Sequence, residues 1–365
     1  MNRVILGCLA LLSCSANATS DIKTAVSGYI SGTLVSDPSF YSHTAKGAMN
    51  FDVTKGTYAF HTQLASSVEF PTESMVSRLT LEKAVHLGKG QEMSFVVGRY
   101  PRLFSFYNAI TDSVGTPGLA MLPLAQYKRR YVTDSRMISG DGVMVNYRFH
   151  EDDYSLDFTA DVNQVSRVNS CLVQMEIYNK SCRSSYGYTS DNPNFDFGLE
   201  YNSMTLKVLA AITFIDIKSF ITDATDPVAS GTYTSANKFS HRLYKLGVIK
   251  NEGPWWVQAE ATYRDIEKAV VNKDLEEFNK QMGGYVIGGH HFSDTTSAYM
   301  GYSISRSSRS NYYNLNDYFA GVTYTAGGGL TYSLEYHNGN GKDWNRYLSP
   351  ESAWSSAVLS ITKQF

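Results

Sequence analysis

The chain has 365 residues, of which 43% are hydrophobic and 18% charged, with 32 Lys and Arg set against 34 Asp and Glu. These proportions exclude a disordered or collagen-like chain, and the near-zero net charge leaves no electrostatic footprint for nucleic acid. A supply of 26 Tyr, 18 Phe and 28 Gly beside only 9 Pro points to β structure with many turns.

Residues 1–18 read as a cleaved secretory signal peptide. Arg3 supplies the positive start, Val4 to Leu12 a short apolar run, and Ala16-Asn17-Ala18 a small-residue cleavage site. An alternative is lipoprotein processing at Cys14. Beyond residue 18 no stretch of apolar residues is long enough for a membrane helix, so residues 19–365 are expected to form one domain built from strands.

Alternation of apolar and polar residues with period two recurs throughout. Val143, Val145, Tyr147 and Phe149 share one face of a strand, a turn follows at His150 to Asp153, and Tyr154, Leu156, Phe158 and Ala160 share a face of the next. The same unit returns around Asn202-Ser203, around Asn251 to Pro254 and around Ala326 to Gly328. The pattern predicts about sixteen strands, at 21–35, 43–54, 57–68, 75–87, 91–99, 138–149, 154–163, 193–202, 204–216, 237–250, 254–266, 279–292, 296–306, 316–326, 329–338 and 352–365. Short connections alternate with longer ones, the longest at 100–137 and 164–192. That asymmetry, the strand lengths and the aromatic residues at strand ends predict an all-β fold, a transmembrane antiparallel up-and-down barrel with its apolar face toward lipid. A soluble sheet with one face on a core is the alternative.

Cys171 and Cys182 are the two cysteines after residue 18, and turn-forming residues surround them. In an oxidising compartment they are expected to form one disulfide closing a local loop. His290 and His291 are adjacent on a strand and face opposite sides, and no nucleophile–base set, phosphate loop or metal spacing stands out. No enzyme activity, cofactor or metal is expected.

The leader, the strand number, the long third outer loop and the ending Ser360-Ile361-Thr362-Lys363-Gln364-Phe365 resemble the general porins of Gram-negative bacteria. The resemblance covers the whole chain after the leader. It implies an outer-membrane location, a homotrimer joined largely through the first and last strands, and Phe365 as the signal read by the outer-membrane assembly machinery. It further implies that the 100–137 loop folds into the lumen and narrows it. The acidic motif that the family carries in this loop is not visible here.

The loop holds Arg102, Lys128, Arg129, Arg130 and Arg136 against Asp112 and Asp134, a local excess of +3. Inside the lumen these residues would make a positive constriction. At the outer rim they would instead meet lipopolysaccharide phosphates or the loop's own acids. The alternation turns Lys23, Lys46, Arg78 and Arg148 inward, with Arg78 best fixed by the phase of Leu79 and Leu81. Inward acids are expected at Asp52, Glu82, Asp157, Asp161, Glu260 and Glu335. The expected function is a water-filled channel for passive diffusion of small hydrophilic solutes. A substrate-specific channel favouring anions, and a surface adhesin using the 171–182 loop, are the alternatives.

Overall fold

The structure, a computed structural model, describes residues 22–36, 44–67, 76–101, 139–164, 166–169, 184–190, 192–223, 233–270, 280–307, 315–341 and 352–365. Every strand pairs antiparallel with its neighbours. The first seven are β1 (Ile22–Val35), β2 (Thr44–Lys55), β3 (Tyr58–Ser67), β4 (Val76–Gly88), β5 (Gln91–Pro101), β6 (Ser139–His150) and β7 (Tyr154–Gln164). Short β8 (Ser166–Asn169) and β9 (Ser184–Ser190) precede β10 (Asn194–Ser203). The remainder are β11 (Leu206–Asp223), β12 (Tyr233–Glu252), β13 (Trp255–Val270), β14 (Lys280–His291), β15 (Thr296–Ser307), β16 (Leu315–Ala326), β17 (Leu330–Gly341) and β18 (Ser352–Gln364).

The sheet closes on itself. β1 pairs with β2 on one side and with β18 on the other, and Phe365 exchanges backbone hydrogen bonds with Gly28 at 2.9 and 3.0 Å. Closure leaves no row of unpaired backbone groups, which is the condition for crossing hydrocarbon with strands. β10 pairs directly with β7, so β8 and β9 stand outside the closed circuit and sixteen strands form the barrel.

Turns at 56–57, 89–90, 151–153, 204–205, 253–254, 292–295 and 327–329 all fall at one end. The connections at the other end are longer. The turn after β4 depends on Gly90, whose φ is 72° and whose added Cβ would lie 2.2 Å from the His150 carbonyl oxygen. Only glycine meets both conditions.

Strand boundaries follow the sequence expectation closely, apart from the 164–192 and 217–236 connections. There β11 and β12 keep pairing from Phe214↔Arg242 out to Thr222↔Tyr233, and β9 adds to the outer part of β11. β12 has 20 residues, about 65 Å of chain. That is well beyond the roughly 25 Å apolar band of such barrels, so these strands stand clear of it. In the outer part of β12, from Tyr233 to Ser240, polar residues fall on both phases, and the period-two signal fails there.

The distribution of polarity is the reverse of a soluble protein's. Ile30 is 64% exposed, and Leu34, Leu81, Val97, Leu246 and Leu334 are exposed with it. The opposite face buries Ser31, Thr33, Asp161, Glu260, Asp317 and Glu335. An apolar exterior around a polar interior suits a barrel with lipid outside and water within. It also decides between the two readings of the alternation, because a sheet folded on a core would bury the leucines.

Candidate functional site

The inward face is the candidate site, and its residues fall into three arcs. On β2 to β5, His61 Nδ1 lies 2.7 Å from Asp52 Oδ1 and its Nε2 lies 3.6 Å from Glu82 Oε2. Gln63 donates to Asn50 Oδ1 at 2.7 Å. Arg78 is the register partner of Gln63, and its charge acts on both His61 and Glu82.

The second arc runs over β6, β7, β10 and β11. Arg148 Nε donates to Asp157, which is joined through Asn202 to Glu200, and Lys207 Nζ lies 2.8 Å from Glu200 Oε1. Farther from the short turns, Asn163 donates to both Asp161 and Asp196, which face each other across the β7–β10 pair.

The third arc, on β12 to β18, carries both charge and aromatic rings. Lys245 Nζ lies 3.2 Å from Glu260 Oε1, and both side chains are almost wholly covered. Gln258 donates to the Tyr285 hydroxyl at 2.6 Å, and that hydroxyl donates to Glu260 at 2.7 Å. Three strands on, His337 sits between two buried carboxylates. Its Nδ1 is 3.0 Å from Asp317 Oδ2 and its Nε2 is 2.9 Å from Glu335 Oε2, while Tyr299 donates to Glu335. The His337 ring stacks between Phe319 and Trp354, with centroids 5.3 and 6.3 Å away.

These rings lie flat against the wall because glycine stands beneath them. A Cβ on Gly289 would meet the Trp256 ring at 2.3 Å, one on Gly301 the Phe319 ring at 2.4 Å, one on Gly321 the Tyr299 ring at 2.6 Å and one on Gly339 the Trp354 ring at 2.4 Å. Each glycine is the cross-strand register partner of the residue whose ring covers it. The ring fills the gap that glycine leaves in the pleat and keeps its bulk out of the bore.

The ion pair makes a test of the wall. Glu260→Gln should destabilise the barrel by about 3–5 kcal/mol, because it leaves Lys245 buried beside a neutral group. Lys245→Met combined with Glu260→Gln should recover most of that loss. Urea unfolding of the lipid-reconstituted protein, followed by the gel shift of the folded barrel, would read both.

The alternation assigns inward positions to Lys23, Lys46, Arg78 and Arg148, and register places them at different heights. Lys23 and Arg148 stand near the short turns, whereas Lys46 and Arg78 stand toward the long connections. Arg148 is engaged by Asp157, and Arg78 is the base that approaches the β2–β5 arc. Arg102, Asp112, Lys128, Arg129, Arg130, Asp134 and Arg136 lie outside the described residues, as do Cys171, Cys182 and the leader. Sequence reasoning missed His61, Lys245, Tyr285, His337 and the ring-over-glycine pairs. The turn positions held the signal, since counting back from the 327–329 turn sets Gly321 against Glu335 and Phe319 against His337.

No family model matches the chain, and no curated protein does. Solved structures do. OmpT, an outer membrane protein of Vibrio cholerae in trimer form, aligns with a TM-score of 0.55 at 11% identity, over 95% of this chain and all of that one. The outer membrane channel DcaP of Acinetobacter baumannii gives 0.55 at 12% identity, over 96% and 99%. OmpF of Salmonella typhi, in complex with daunomycin, gives 0.54 at 15% identity, over 94% and 98%. The chain therefore has the fold of the porins and outer-membrane channels, a sixteen-stranded closed antiparallel barrel.

Proposed function

We propose that the protein is an outer-membrane porin, a water-filled channel for passive diffusion of small hydrophilic solutes and ions. The observation that carries this reading is the polar, hydrogen-bonded interior inside a lipid-compatible shell. Small polar groups such as Ser31, Thr33, Asn50 and Ser303 line the wall between the charged arcs, an interior that suits water better than a packed apolar core. The reading involves no catalysis and no cofactor. By analogy with trimeric neighbours the protein acts as a homotrimer. Ile30, Leu34 and Leu359 stand out from small Gly32 and Ala357 on β1 and β18, a surface suited to a subunit contact.

The leader directs export, the Cys171–Cys182 pair closes an outer loop, and the terminal Phe365 carries the assembly signal. The 100–137 loop sets the bore. Among the described wall residues the acids exceed the bases, so the wall alone favours cations. An anion preference would need the +3 loop in the lumen.

The test is single-channel conductance and reversal potential in a planar bilayer under a salt gradient. Open steps are expected. Neutralising Arg78 or Arg129 should move the reversal potential toward cations if those groups line the narrow part. Open steps whose reversal potential ignores Arg129 would leave the channel and remove the loop from the constriction. Correctly folded protein without conductance would overturn the porin reading.

A further inference from the structure

Two histidines on the inner wall each stand between two carboxylates, and they differ in openness. Both nitrogens of His337 lie at hydrogen-bonding distance from an acid, and its ring is covered. His61 is open to the lumen. Its side chain is 20% exposed, beside Asp52 at 35% and Glu82 at 26%. Lys245, Glu260, Asp317 and Glu335, the charges of the third arc, are covered as His337 is. A passing solute therefore meets the charges of the β2–β5 arc and not these.

The two contacts of His61 are unequal. Nδ1 lies 2.7 Å from Asp52, a hydrogen bond, whereas Nε2 lies 3.6 Å from Glu82, too far for one. A neutral imidazole has one N–H and one lone pair. A ring that donates from Nδ1 to Asp52 turns its lone pair toward Glu82, and that carboxylate stands off. The Ser94 side chain from β5 also hydrogen-bonds Glu82. A second proton on the ring would supply the missing donor and draw Glu82 in.

The charged groups that face the ring are Asp52 from β2 and Arg78 and Glu82 from β4. β3 itself brings no other charge. With the ring neutral the arc carries one net negative charge, and with the ring protonated it carries none. Imidazole is the side chain that makes such a change near neutral pH. In a water-filled pore, fixed charge on the wall sets the local ratio of cations to anions.

We propose that His61 is a specificity-determining residue of the channel. With its ring neutral, Asp52 and Glu82 favour cations along the β2–β5 wall. Protonation of the ring removes that preference. The proposal rests on the porin reading and names a residue through which its selectivity follows pH.

The test is the reversal potential of the full-length protein in a planar bilayer under a potassium chloride gradient, from pH 9 down to pH 6. The wild-type ratio of cation to anion permeability should fall about twofold over that range, the weight of one unit charge roughly 7 Å from a passing ion in salt water. His61→Gln keeps a donor for Asp52 but takes no proton, so it should hold the pH 9 ratio throughout. His61→Lys carries a fixed charge and should hold the pH 6 ratio throughout. His86 shares the inward phase of Glu82 nearer the turn, and His86→Gln should keep the wild-type fall. A wild-type ratio that ignores pH would overturn the proposal. So would a fall that survives in His61→Gln, or one that disappears in His86→Gln. The wild-type profile and the lysine variant stand as tests even where the glutamine variant folds poorly. Open steps in the same recordings report the channel itself. Folded protein without conductance removes the porin reading, whereas open channels with a pH-independent ratio remove only the role of His61.

Discussion

Replacing His337 with Leu should lower the stability of the barrel by about 3–5 kcal/mol. The imidazole is 1% exposed and holds Asp317 and Glu335 apart, one at each ring nitrogen. Leucine has similar bulk and keeps contact with Phe319 and Trp354, so packing changes little. What changes is electrostatic, because two buried carboxylates lose the group between them in a region of low dielectric. Glu335 keeps the Tyr299 hydroxyl, but Asp317 belongs to a different strand. The measurement is the urea midpoint of the reconstituted protein. Adding Asp317→Asn and Glu335→Gln to the leucine variant should restore most of the loss, since it removes both charges. A leucine variant as stable as wild type would show that the ring does not hold this wall together.

The barrel was legible because lipid and water act on every second residue. Val143 to Phe149 and Tyr154 to Ala160 show that period without interruption, and the hairpin they predict is the one observed. Turns were legible where glycine or proline punctuates the pattern, as at Asn251 to Pro254. The outer parts of β11 and β12 were not, because beyond the membrane neither face need be apolar. The site was legible only as a phase. Alternation says that Glu260 and Glu335 point inward, but it does not say which residue each meets. Lys245 reaches Glu260 although Gly247 is the register partner of that glutamate, a diagonal contact that depends on side-chain reach as well as alternation. His337 was invisible for a related reason. Its partner Glu335 is two residues away on the same strand, and Asp317 is reached only through the β16–β17 register.

The ring-over-glycine pairs lead to the second large effect, on the bore itself. Gly301→Ala should narrow the channel even though only a methyl group is added. The new Cβ would lie 2.4 Å from the nearest Phe319 ring atom and no more than 3.0 Å from the next two, so the ring cannot stay flat against the wall. Backbone pairing on both sides holds Gly301 between Ile287 and Phe319, which leaves rotation of the Phe319 side chain inward as the open direction. Overpacking of this kind costs about 1–3 kcal/mol, and the displaced ring moves into the cross-section of the barrel. Single-channel conductance should fall in Gly301→Ala and return when Phe319→Ala removes the ring. Gly88→Ala, where a Cβ meets nothing within 4 Å, should leave conductance unchanged. The pairing across β15 and β16 makes the double variant decisive. If Phe319→Ala fails to restore the conductance lost in Gly301→Ala, the loss comes from the backbone and not from the ring, and the flat rings of β13 to β18 do not set the width of the bore.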